Sequence, residues 1–305
     1  MNGLRLLKRG GLDILKGSLV ATATLVGLAV AGVVTNALGL PPVGMPAFMN
    51  LSTLVPLLFV SEVLIAIVLG ECFQRLYQSF WHRLLWLWMG HYVLYYALNN
   101  LDAFLFTTYT NLGTSFVANL FPALFAAASM ALLWRPAAGS LAQRPSLSAY
   151  LAARRPGNWA WRFAAAWLCF PLIYYLAGRG AAAFTLSYYQ NPGLDLGLAL
   201  KFTLGSLMAM EVLRGALFLL AVLPIIVAWR GSQRNLWLVL GLVIFIQIAI
   251  QTLVQAYWMP FLEVRIPHSL EMLADSYGQA AVAAWLLAPR TAAALQASPQ
   301  TVPAM

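Results

Sequence analysis

The chain has 305 residues, 62% of them hydrophobic and 9% charged, with a mean hydropathy of +0.78. Soluble domains carry roughly 25% charged residues, so this composition excludes an ordinary soluble enzyme, a disordered chain and a disulfide-stapled domain. The formal charge of +9 points to membrane topology and not to nucleic acid, because the basic residues fall in short segments between apolar runs.

The expected fold is an all-α, polytopic transmembrane bundle. A helix needs about 20 apolar residues to cross the hydrocarbon core. The stretches that reach that length are Leu19 to Leu40, Leu51 to Gly70, Leu84 to Tyr109, Thr114 to Trp134, Phe163 to Tyr188, Leu196 to Trp229, Leu236 to Phe261 and Ser269 to Leu287, eight in all. Thr35 to Gly39 makes a poor signal-peptidase site, so the first run is expected to remain as a span. The sixth run exceeds one upright crossing; Leu198 to Gly205 is expected to be interfacial or tilted, with Lys201 free to snorkel.

These runs divide the chain into a first membrane half at 1–134, a cytoplasmic loop at 135–162, a second membrane half at 163–288 and a disordered cytoplasmic tail at 289–305. Within the loop, Ser146 to Arg155 reads as a short surface helix. Basic residues occupy alternate connections: Arg5, Lys8, Arg9 and Lys16, then Arg75 and Arg83, then Arg135, Arg144, Arg154, Arg155 and Arg162, then Arg230 and Arg234, then Arg290. That pattern places both termini in the cytoplasm of a multi-pass inner (plasma) membrane protein.

The two halves share features. Ser61-Glu62-Val63-Leu64 in the second span matches Met210-Glu211-Val212-Leu213 in the sixth, and Arg83 with Trp88 matches Arg234 with Trp237. Two parallel four-helix repeats are one reading; shared apolar composition is the other.

Ionisable groups inside spans are costly, about 2.5–3.5 kcal/mol each on insertion scales, so they face a protein interior or a wet cavity. Glu211 and Arg214 form an i, i+3 pair, and His268, Glu271 and Asp275 share one helix face. Gln247, Gln251 and Gln255 form a polar stripe that should face inward. Asp102, beside Asn99 and Asn100, and Arg265 belong to the same outer level, while Glu62 and His91 lie deeper. Together they suggest a polar, outward-opening cavity between the halves. The alternative is structural: an ion pair that fixes helix register, with the glutamines as interhelical glue.

No metal or other cofactor is expected, since no HExxH or paired-Cys spacing occurs and His91 and His268 differ in depth. Cys72 and Cys169 read as free thiols. No Gly-x-Ser-x-Gly and no phosphate-binding loop occur, which excludes an intrinsic ATPase. The run Glu211 to Gly215 resembles the Glu and Arg-Gly motif of intramembrane CAAX-type proteases, without that family's double Glu or its wider Glu-to-Arg spacing. Pro267-His268 followed by Glu271, with Asn99-Asn100, resembles the stage II sporulation protein M family, with a shorter His-to-Glu spacing. Neither resemblance assigns a role to these residues.

The leading expectation is a permease or transport component for a small solute or ion. In it Arg214 and Arg265 hold an anionic group, and Glu62 or Glu271 exchanges protons. A non-catalytic subunit of a membrane complex is the second expectation. The third is an embedded enzyme for a lipid-linked substrate, with His268 and Glu271 as acid and base. The partners implied are the lipid bilayer and either other membrane subunits or further copies of the chain.

Overall fold

The computed structural model describes residues 2–43, 51–76, 79–107, 111–136, 147–191, 200–255 and 261–289. Every described element is a helix: α1 (Asn2–Ala37), α2 (Leu51–Leu76), α3 (Phe80–His91), α4 (Leu98–Phe106), α5 (Leu112–Leu133), α6 (Leu147–Ala152), α7 (Pro156–Tyr189), α8 (Leu204–Ala228), α9 (Gln233–Ile250) and α10 (Leu262–Leu287). A π-helical turn, Tyr92–Ala97, joins α3 to α4, and another, Gln251–Gln255, extends α9.

Among the described residues, 6 helices are long and apolar enough to cross a membrane: α1 from Arg9, α2 from Ser52, α5, α7, α8 and α9. The chain is therefore a multi-pass helical membrane protein. Two of the eight expected spans fall outside this set for visible reasons. The third run is helical from Phe80 to Phe106 but is divided by its π turn into two short α segments. The eighth is α10, whose Glu263, Arg265, Glu271 and Asp275 dilute its apolar character.

Two boundaries differ from the sequence reading. Residues 200–203 are not helical, and α8 begins at Leu204 because Thr203 and Ser206 form a reciprocal capping box. The Lys201 backbone N–H donates to the Leu105 carbonyl at 3.0 Å, tying this segment to α4. Finally, α10 starts at Leu262, well before Ser269, so Pro267 lies inside the helix. The expected tail beyond residue 289 and the loop at 137–146 lie outside the described residues, as does the end of the seventh run at 256–260.

The expected loop helix exists as α6, but it is docked and not free on the surface. Tyr150 is buried and its hydroxyl donates to the Leu287 carbonyl at 2.6 Å. Arg154 donates to Ala288 O at 2.9 Å and Arg162 to Leu286 O at 2.7 Å. These three donors satisfy carbonyls that the end of α10 leaves without intrahelical partners, and the two cations complement the negative end of its dipole.

Small residues set the helix contacts, as expected where lipid is as apolar as the side chains and packing must drive association. Gly27 on α1 faces Pro122 of α5, where a Cβ would fall 2.6 Å from the proline Cα. Gly70 on α2 holds the ring of Trp134, and Gly241 on α9 holds the ring of Tyr277 on α10. Gly215 brings α8 against Trp167 and Phe170 of α7.

The neighbour relations before residue 135 recur after residue 155. Helix α1 packs on α2 and α5, as α7 packs on α8 and α10; α3 packs on α5 as α9 packs on α10. Across the two sets, α2 meets α9 and α3 meets α8. Trp88 Nε1 donates to the Leu120 carbonyl at 3.3 Å, and Trp237 Nε1 to the Tyr277 carbonyl at 2.9 Å. Arg83 Nη2 donates to Ala131 O and Gln233 Nε2 to Ala284 O, both at 3.0 Å. Where the sets meet, His91 pairs with Gln247, and Gln251 donates to the Tyr95 carbonyl, each pair being 156 residues apart in sequence.

The close approach at Gly27 yields a direct test. Gly27→Ala must push α1 off the α5 backbone and should destabilise the folded protein by about 1–3 kcal/mol. Gly32→Ala, on the same helix with nothing within 4 Å, should leave stability unchanged. Thermal unfolding of both variants in detergent measures the difference.

Candidate functional site

The Glu211–Arg214 pair on α8 is fully formed and buried. Arg214 Nη1 donates to both Glu211 carboxylate oxygens, at 2.7 and 2.9 Å, and Nη2 donates to Asp102 Oδ2 on α4 at 2.7 Å. Glu211 is 0% exposed and Arg214 3%. The guanidinium also stands over the rings of Tyr174, 5.0 Å from its centroid, and Phe170, at 5.9 Å, both on α7. Gly215, next in sequence, lets α7 approach closely enough for this stacking. Such charge-assisted contacts offset the cost of desolvating the ions only while all partners are present.

A second group comes from α10. His268 Nδ1 and Glu271 Oε2 are 2.7 Å apart, and Asp275 lies one further turn along the same face. One carboxylate oxygen each of Asp102 and Asp275 is buried without a hydrogen-bond partner. Gly178 on α7 makes room for this group, since a Cβ there would come 3.1 Å from Glu271 Oε1.

The third group sits deeper, between α1, α2, α3 and α9. Glu62 Oε2 lies 3.6 Å from His91 Nε2, and Thr24 Oγ1 donates to it at 3.4 Å. His91 Nδ1 lies 3.2 Å from Gln247 Oε1, while Gln247 Nε2 donates to the Val243 carbonyl at 3.1 Å. That second bond orients the amide with its oxygen toward the ring, so Nδ1 is the nitrogen that carries hydrogen and Nε2 faces Glu62. Tyr95 stacks on the imidazole with centroids 5.1 Å apart.

These groups share one cavity of about 1210 Å³. It is walled by helices from both sets and includes Glu62, Asp102, Arg214, Gln251, His268, Glu271 and Asp275. Asn36 and Leu40 at the end of α1, Thr107 after α4, and Tyr189 and Leu204 place it toward the end of the bundle opposite Arg75, Arg135, Arg162 and Arg230. Most of its remaining lining is apolar or aromatic.

Not every candidate from the sequence reaches this space. Glu211, His91 and Gln247 form the layer behind the wall. Arg265 does not line the cavity; it donates to the Leu253 carbonyl at 2.9 Å. The side chain of Gln255 lies outside the described residues. Thr24, Tyr95, Tyr96 and Tyr174 contribute to the site without having been singled out, because a threonine or tyrosine in an apolar span carries no periodicity or charge signal of its own. Among the described residues, no three His, Cys, Asp or Glu side chains gather as a metal site. Cys72 and Cys169 are free and only partly buried.

No protein family, no curated protein and no solved structure matches the chain.

The buried ion network predicts strong non-additivity. Arg214→Met leaves Glu211 and Asp102 without a counter-charge and should destabilise the protein by about 3–5 kcal/mol. Adding Glu211→Gln and Asp102→Asn should restore much of that loss, which unfolding in detergent would quantify. The imidazole assignment is testable separately. Nitrogen NMR of labelled histidine in lipid should find His91 protonated at Nδ1, and Gln247→Leu should abolish that preference.

Proposed function

We propose that the chain is an inner-membrane permease or transport component with eight spans in two parallel four-helix repeats. In this reading both termini are cytoplasmic and the cavity opens outward. The observation that carries it is a large cavity between the two helix sets, with ionisable side chains from α2, α4, α8 and α10 in its walls. Polar groups at membrane depth, contributed by both halves around one space, suit a solute that crosses between them. The repeated neighbour relations and the matched Trp88 and Trp237 bonds support the duplication, and the arginine distribution supports the orientation.

The anion-holding role expected of Arg214 and Arg265 is not part of this proposal. Both terminal nitrogens of Arg214 are bound to carboxylates, and Arg265 is bound to a backbone carbonyl outside the cavity. Proton exchange stays with Glu62 or Glu271, both of which line the cavity.

One observation favours a second reading. The 2.7 Å His268–Glu271 contact at the cavity wall has the form of an acid–base pair, as an embedded enzyme for a lipid-linked substrate would need.

Alternating access tests the permease reading without knowledge of the solute. Ala103→Cys lines the cavity, and Cys72→Ser with Cys169→Ser removes the other thiols. A membrane-impermeant maleimide should label this variant when added to either face of sealed vesicles. Labelling from one face alone would overturn permeation and leave a binding or catalytic pocket.

A further inference from the structure

We propose that the ligand of this cavity is a lipophilic organic cation, that is, a positively charged nitrogen or phosphorus centre carrying apolar groups. The inference rests on the cavity being a substrate site, as argued above, and adds the sign and character of the substrate.

Charge comes first. Four carboxyl side chains line the cavity, Glu62, Asp102, Glu271 and Asp275, against the guanidinium groups of Arg179 and Arg214 and the imidazole of His268. Arg214 is already outnumbered by its own partners, since Glu211 and Asp102 both bind it. His268 is taken by Glu271. Arg179, the remaining lining cation, is exposed, while Asp275 and Glu62 each have a buried carboxylate oxygen with no hydrogen bond. Glu62 is only 3% exposed, so this oxygen is not relieved by bulk water. An excess of carboxyl groups at membrane depth is costly until protons or a cation neutralise it.

The second observation is independent of the acids. Tyr95, Tyr96, Phe170, Tyr174, Tyr175 and Phe218 all contribute to the lining. Ring faces attract cations, and more strongly where water is excluded. Arg214 already shows the geometry, standing 5.0 Å over the Tyr174 ring. An inorganic cation would need a tight shell of oxygens, and the space is far too wide and too apolar for one. A cation dressed in apolar groups fits both features: its charge meets Asp275, Glu62 or the ring faces, and its body covers the apolar wall.

Two probes of matched shape and opposite charge provide the test: tetraphenylphosphonium and tetraphenylborate, measured against the full-length protein in lipid nanodiscs. Saturable binding of the phosphonium, at least tenfold tighter than that of the borate over empty nanodiscs, is the expected result. Asp275→Asn should weaken phosphonium binding about tenfold and leave the borate unaffected, with Glu271→Gln as the second variant should the first fail to assemble. Equal binding of both probes, preference for the borate, or no saturable phosphonium binding would overturn the proposal. These outcomes do not touch the two-sided labelling of Ala103→Cys, so the cation inference and the permease reading can fail separately.

Discussion

The guanidinium of Arg214 is the charge around which the rest of the site is arranged. It is buried where α4, α7 and α8 meet, only 3% exposed. A buried ion in a membrane protein is tolerable only with counter-charges and hydrogen bonds in place. Glu211 supplies one carboxylate from the same helix, three residues earlier, and so fixes the rotamer of the arginine. Asp102 supplies the second from α4, so that helix is drawn to α8. Gly215 then becomes necessary, because any side chain there would push α7 away from the stacked guanidinium. One charge thus decides which helices must touch and at what height.

The same requirement for internal satisfaction explains the helix junctions. In hydrocarbon every polar group must find its partner within the protein. Trp88 and Trp237 place their indole N–H groups on carbonyls of the neighbouring helix, and Tyr150, Arg154 and Arg162 take the terminal carbonyls of α10. The first π turn packs on α8 and α9, and the second on α2 and α10. A π turn inserts an extra residue into the helical repeat and shifts the facing side chains, as is frequent at functional positions. Beside these turns, Gln251 reaches the Tyr95 carbonyl and Gln247 reaches His91.

What the sequence made legible follows from which signals are local. The apolar runs marked the helices because span length depends on composition alone, and the i, i+3 spacing of Glu211 and Arg214 marked a pair that does form. The inward face of the glutamine stripe was also readable at Gln247, which is 0% exposed. Partners from distant segments were not. Nothing in the run around Asp102 announces that it closes on Arg214, and Arg265 resembles a site residue in sequence only because it sits near His268. The start of α10 was misread for a related reason. Pro267 suits a helix N-terminus locally, but the turn from Leu262 forms ahead of it and leaves the proline inside. Likewise the apolar run entering α8 hid a capping box that stops the helix at Leu204.

The two glutamates at matched sequence positions show how a proposed repeat can diverge in chemistry. Glu211 is bound by an arginine one turn away, whereas the position three residues after Glu62 is Ile65, a fully buried apolar side chain. Glu62 therefore turns to the neutral or singly charged imidazole of His91 and to Thr24. A guanidinium keeps its charge under all physiological conditions, and an imidazole does not. The Glu211 side is thereby fixed as a permanent ion network that holds helices together. On the Glu62 side the nearest ionisable neighbour is an imidazole 3.6 Å away, whose ring Gln247 holds in place from its other nitrogen.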